Sequence, residues 1–326
     1  MTQVWHLTRD KLHCLTHLIS KLIKRIIMKL NKYISMAAVA VLGLGFTACD
    51  DDDPDTSITV IPDNPNAQTD LDKWIEKNFN LPYNIDYKYR YEDIQGDFNY
   101  YLVPAKYDNA VIMAHLIKYL CVEVYNEVAG PDFTRRYFPK MFYCVGDWEW
   151  RNNGTIVLGT AEGGRKIFLA GLNYLDGLID DAEGLNHYYF KTIHHEFTHI
   201  LNQTKPIPAD FQLVSLSGYV ADSWSNEPFN TEYLQNGFIS AYSQHSYTED
   251  FAEMLSIYVT NPASYWTNLV GGTNATAQAA IQQKLDIVRT YMEESFGIDI
   301  DELRDALQRR QADVVAGKVD LTDLTI

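Results

Sequence analysis

Positive charge is scarce in this chain. Its 326 residues carry 27 Lys and Arg against 43 Asp and Glu, a formal charge of −16. The deficit is uneven. Residues 1–48 hold seven basic side chains (Arg9, Lys11, Lys21, Lys24, Arg25, Lys29 and Lys32) and one acid, Asp10, for +6, which leaves −22 on the remainder. A polyanion of that size repels nucleic acid, so no DNA or RNA partner is expected. Cysteine is scarce too, with four in all: Cys14, Cys49, Cys121 and Cys144. Long apolar runs are missing; the run from Met36 to Phe46 is too short for a permanent membrane-spanning helix. Repeats and low-complexity tracts are absent after residue 68. What is present suits a globular enzyme-sized domain. Hydrophobic residues make up 46%, so disorder is not the default and a sizeable core can be buried. Tyrosine is abundant, at 22 residues. Its apolar ring and polar tip suit wet clefts, and equally ordinary sheets.

The N-terminus reads as an address. From Met28 the chain has a basic start (Lys29, Lys32), an apolar stretch from Ile34 to Phe46, then small residues Thr47-Ala48 before Cys49. That order is a secretory signal. With the cysteine it resembles a bacterial lipoprotein lipobox, although Phe46 stands where an aliphatic residue is usual. The resemblance implies that Cys49 is lipidated and that residues 28–48 are removed. Residues 1–27, with Cys14, would then be a mis-assigned upstream extension, although HLISKLIKRII also reads as a basic amphipathic helix. Asp50 to Asp53 begin an acidic tether that runs to about residue 68. It resembles the export signal that takes Bacteroidetes lipoproteins to the cell surface. The expected location is therefore the outer membrane, facing outward. In an exported chain Cys121 and Cys144 could pair; two buried free thiols are the equal alternative. Asn153-Gly154-Thr155 matches a glycosylation sequon, which carries no weight in a bacterial lipoprotein.

Residues 69–326 read as one domain. A capped helix is expected at Asp70–Phe79, followed by a strand in which Tyr87, Tyr89 and Tyr91 alternate with Lys88 and Arg90. A core-facing sheet row is the better reading of those tyrosines, with sugar stacking the weaker one. Asp108 to Val128 has helical periodicity, and Phe133 to Phe142 reads as a short helix interrupted at Pro139. Strands are expected over 142–150, 155–160 and 166–173, separated by Asn152-Asn153-Gly154 and Gly163-Gly164. A helix is expected from Asn186 to Asn202, then a loop from Pro206 to Pro228. Further helices are expected at Thr231–Leu234, Tyr247–Val259, Ala275–Phe296 and Asp299–Ala316. Strands gathered before residue 186 and helices after it make the fold class α+β.

The helix at 186–202 carries His194-His195-Glu196-Phe197-Thr198-His199. His195 and His199 are four apart and share one face. Two imidazoles so placed can hold one Zn²⁺ at ~2.0–2.1 Å. Glu196 is rotated about 100° from His195, close to the metal without ligating it, as a general base requires. H-E-x-x-H alone can arise by chance. Here Ile193, Phe197, Ile200 and Leu201 give the helix an apolar stripe, so it can pack and turn its His face to a cleft. His194 points elsewhere. A catalytic zinc usually takes a third protein ligand. No His follows in Ile200 to Lys205; the best candidates are Glu249 and Glu253, also four apart, on the amphipathic helix at 247–259. One could ligate while the other holds a His N–H.

The combination resembles the gluzincin metallopeptidases, and the EDFAE segment resembles the E-x-x-A-E pattern of the anthrax lethal factor type. That resemblance implies a zincin-like domain with Glu249 as ligand and Glu253 behind it. It also implies a transition-state tyrosine seven residues before the ligand, at Tyr242, with His245 and Tyr247 as nearby rivals. Together with the lipobox, the chain is similar to Bacteroidetes zinc metallohydrolase lipoproteins associated with TonB-linked import. The implied function is a surface-anchored zinc hydrolase acting on a peptide or protein, with a TonB-dependent importer as partner. An extended substrate could lie along the strand at Lys166–Leu172. The alternative is a glycan- or peptide-binding lipoprotein of an import system whose zinc site is not catalytic. A scaffold without metal is a third reading.

Overall fold

The computed structural model describes residues 20–29, 68–95, 102–150, 156–157, 159–162 and 165–326. The expected signal peptide beyond Lys29, Cys49, the acidic tether up to residue 67 and the sequon at Asn153 lie outside the described residues. The chain divides into two units, 1–67 and 68–326. In the first, residues 20–29 form a helix with every residue exposed. No described helix is long and apolar enough to cross a membrane.

The second unit opens with α1 (Asp70–Ile75), whose N-terminus is closed by a reciprocal cap: the Thr69 side chain accepts from Asp72 N–H, and the Asp72 carboxylate accepts from Thr69 N–H. The strand β1 is confined to Asp86–Lys88. Tyr87 and Tyr89 are buried and their rings stack, and the Tyr87 hydroxyl donates to the Ala110 carbonyl. Tyr91 is exposed. The core reading holds for two of the three tyrosines. The long helical run appears as α2 (Tyr107–Ile117) and α3 (Glu123–Ala129), joined by a π turn at Lys118–Val122.

Gly130 and Pro131 then start a new helix, α4 (Pro131–Tyr137). The expected helix over Phe133–Phe142 stops there, because Met141–Cys144 is β2. The expected strand over 142–150 is two pieces, β2 and β3 (Glu149–Trp150). The break sits at Gly146, where a Cβ would meet the Pro104 carbonyl at 2.3 Å. β4 (Ile156–Val157) pairs with β3; β5 (Gly159–Glu162) and β6 (Lys166–Leu169) pair antiparallel. The main sheet has the order β1-β2-β6-β5, with β1, β2 and β6 parallel. β6 is therefore paired on both sides and cannot receive a substrate strand, contrary to expectation. β5 caps it and forms the outer edge of the described sheet.

After β6 the described elements are helical. α5 (Ala182–Leu185) passes through a π turn at Asn186–Phe190 into α6 (Lys191–Thr204). The expected loop after it contains α7 (Ala209–Val214) and short 3₁₀ turns before α8 (Phe229–Glu232). Then come α9 (Tyr247–Thr260), α10 (Ala263–Gly271), α11 (Ala275–Phe296) and α12 (Ile300–Val315). α10 was not expected, although Trp266, Leu269 and Val270 stand at helical intervals and pack, partly buried, against the core. The overall class is α+β with a small, mainly parallel sheet. Cys121 and Cys144 are both buried free thiols, so the pairing alternative is excluded. Burial pushes both thiols up, Cys144 to about 12.

Candidate metal centre

The apolar stripe of α6 anchors the motif. Ile193, Phe197 and Leu201 are fully buried, each side chain contributing about 1.5–3 kcal/mol. Phe197 stands edge-on to Tyr125 and Phe138, with ring centroids 4.9 and 5.0 Å apart. His194 turns into this aromatic packing. Its Nδ1 is 2.9 Å from the Tyr125 hydroxyl. Burial lowers its pKa to about 4, so it stays neutral. It is no part of the His195/His199 face.

α9 runs alongside α6 and buries Phe251, Met254, Leu255 and Tyr258. The Ser246 hydroxyl caps it by accepting from Glu249 N–H. This packing leaves Glu249 and Glu253 on the side facing the histidines. Glu249 Oε2 lies 3.0 Å from His195 Nε2 and 3.1 Å from His199 Nε2, and the two Nε2 atoms are 3.1 Å apart. Three ligand atoms thus converge on one point. Glu253 is on the other side of the His195 ring, with Oε1 2.8 Å from Nδ1. Glu196 shares a cleft of ≈ 520 Å³ with His199, Asn202, Tyr247 and Glu249. The Asn202 amide has no hydrogen-bond partner on either its nitrogen or its oxygen.

Comparisons with known proteins show the family. A family model described as "Putative zinc-binding metallo-peptidase" matches residues 64–301. The chain belongs to that family. A crystal structure of a protein of the same description, from Bacteroides caccae, is 37% identical to this chain and superposes with a TM-score of 0.69. The alignment covers 78% of this chain and 96% of that one. No curated protein matches.

The donor set of this zinc-binding metallopeptidase family member fits a cation on its own terms. The Glu253 carboxylate, 2.8 Å from Nδ1, favours a proton on that nitrogen, which turns the lone pair of His195 to Nε2. That lone pair meets the Glu249 carboxylate and the second imidazole at hydrogen-bond distance. Lone pairs facing each other repel unless a proton or a metal lies between them. A proton can take that place. Burial opposes the charge on His195, but Glu249 and Glu253 outweigh it and raise its pKa to about 9. Glu249 is likewise pushed up by burial, and the hydrogen bonds to His195 and His199 bring it well below the usual carboxylate range. A divalent ion replaces that proton with two charges.

Tyr242 stands beside the centre, its ring centroid 6.0 Å from that of His195. His245 packs on the far side, 5.7 Å from the Tyr242 ring, and Tyr247 is at the cleft wall, 37% exposed. Two polar residues were not anticipated. Lys191 Nζ donates to both oxygens of Glu253, at 2.9 and 3.1 Å, and the Ser240 hydroxyl donates to Oε2 at 2.7 Å. Lys191 had a signal: it lies four residues before His195, on the same face. Ser240 had none, being brought in by the segment before α9.

Proposed function

We propose that this protein is a zinc-dependent peptidase in which His195, His199 and Glu249 hold one zinc ion and Glu196 is the general base. The observation that carries the reading is the meeting of two imidazole nitrogens and one carboxylate oxygen at 3.0–3.1 Å. A zinc ion there supplies Lewis acidity, which polarises a substrate carbonyl and acidifies water. Glu196 takes the proton from the attacking water and delivers it to the leaving amine. Its place in the cleft with His199 and Glu249 supports that role. Glu253 orients His195 through Nδ1. Tyr242, beside His195, is the donor for the developing oxyanion.

The substrate is an extended peptide or protein segment. β5, one of the two edge strands of the described sheet and the one beside α6, is the strand that would receive it. The lipobox reading of Cys49 and the acidic residues after it support attachment to the outer membrane with the domain outside, and with it a TonB-dependent importer as partner.

The test is cleavage of a peptide library by wild type and Glu196→Ala, each with its zinc content measured. Glu196→Ala is expected to keep zinc and lose about 10²–10⁴-fold in turnover. Unchanged turnover refutes the base. Stoichiometric zinc with no library member cleaved favours the binding-protein reading.

A further inference from the structure

The carboxylate behind His195 is itself held from behind. Glu253 has a side chain 1% exposed, yet four donor contacts converge on it. Oε1 lies 2.8 Å from His195 Nδ1 and accepts from Lys191 Nζ at 2.9 Å. Oε2 takes the Ser240 hydroxyl at 2.7 Å and Lys191 Nζ at 3.1 Å. Lys191 is the one donor that spans both oxygens and the one lysine among the three residues that make these contacts. Without it, the carboxylate could turn about its last bond and leave Nδ1. Lys191 also completes a stripe on α6, at the same four-residue interval as His195 and His199. Its side chain is 30% exposed and lines a cavity of ≈ 370 Å³ with Glu183, His187 and Tyr265. The Lys191 side chain is therefore only partly withdrawn from solvent, unlike the carboxylate it holds. A buried carboxylate needs such a cation.

We propose that Lys191 is a positioning residue of the metal centre: it clamps both oxygens of Glu253, fixes the carboxylate that orients the His195 ring, and so sets zinc affinity without touching the metal. This rests on the reading of His195, His199 and Glu249 as zinc ligands. A bystander ion pair would stabilise the fold and leave affinity alone. A positioning residue acts on affinity, and acts through Glu253.

The experiment measures zinc dissociation constants by competition with a chromogenic chelator. The proteins are wild type, Lys191→Met, Lys191→Arg, Glu253→Gln and the Lys191→Met/Glu253→Gln double variant. Lys191→Met is expected to weaken zinc binding about tenfold, the lower end of the range for groups that contact a ligand directly. Lys191→Arg, whose fork can span both oxygens, recovers most of it. In the Glu253→Gln background the Lys191→Met effect disappears. If Lys191→Met does not fold, Lys191→Gln carries the same comparison. Wild-type affinity in the neutral variant, or an equal loss in both backgrounds, overturns the proposal. A wild type that binds no zinc overturns the ligand reading as well, so the two failures are told apart.

Discussion

Removing the charge of Lys284 tests the energetics of the region next to the site. Lys284 and Asp250 are both 0% exposed, with Nζ 2.6 Å from Oδ2. The Tyr219 hydroxyl donates to the same oxygen at 3.0 Å. Nζ also donates to the Gly237 carbonyl at 3.0 Å and lies 3.9 Å above the Phe238 ring. The pair ties α11 to α9 and to the segment that carries Ser240 and Tyr242. Lys284→Met keeps the length of the stem and deletes the cation. It strands a carboxylate with no exposure, and breaking such a pair costs about 3–5 kcal/mol. Domains of this kind have about 5–15 kcal/mol in total, so the loss is a large fraction. Lys284→Met/Asp250→Asn removes both charges and leaves Tyr219 an acceptor. Replacing both partners by neutral groups is close to neutral, so the double variant is expected to regain at least about 2 kcal/mol over the single one. Urea unfolding with linear extrapolation reads both. A loss below about 1 kcal/mol in Lys284→Met, or a double variant no more stable than the single, refutes the reasoning.

Glu249 and Glu253 should separate cleanly in metal assays. Glu253→Ala is expected to weaken zinc binding about 10–100-fold, and Glu249→Ala by more than that, because Glu249 faces both Nε2 atoms. Chelator competition checks the order, and a reversed order would exchange the two roles. Cys121 and Cys144 are expected to resist iodoacetamide at pH 8 in the folded protein. With the Cys144 thiol at about 12, only about 1 in 10⁴ is thiolate there, and burial blocks access. Mass spectrometry should find both labelled only after denaturation; rapid labelling of the native protein contradicts their burial.

Much of the fold was legible where periodicity and punctuation agree. α11 matches its expected bounds because Asn274 caps its start and Gly297, in a left-handed conformation at φ 66, ends it. α12 is bounded just as clearly by Asp299. Reading failed where tertiary contacts override local pattern. Phe142 was expected to end a helix that begins at Phe133, yet its backbone pairs with Ile167 and Tyr87 in the sheet. β6 looked like an edge because nothing in its own residues says that β5 folds back to cover it.

The site was legible in parts, and what joined the parts was register. Each helix announces its own face by a four-residue interval: Lys191, His195 and His199 on α6, Glu249 and Glu253 on α9. Lys191 meets Glu253 while His199 meets Glu249. Rising numbers on one helix thus meet falling numbers on the other, so the two run antiparallel here. One helical turn is ~5.4 Å, and a slip of α9 by about that much would place Glu253 between the histidines. The same slip would bring Ile257 opposite Lys191, a charge against a buried apolar side chain. A slip the other way would carry Glu249 to Lys191 and leave the histidines opposite residue 245, before α9 begins. Only the observed register gives Lys191 an acid and both histidines a shared one. The choice between Glu249 and Glu253 was therefore encoded in the sequence by Lys191, four residues before the motif.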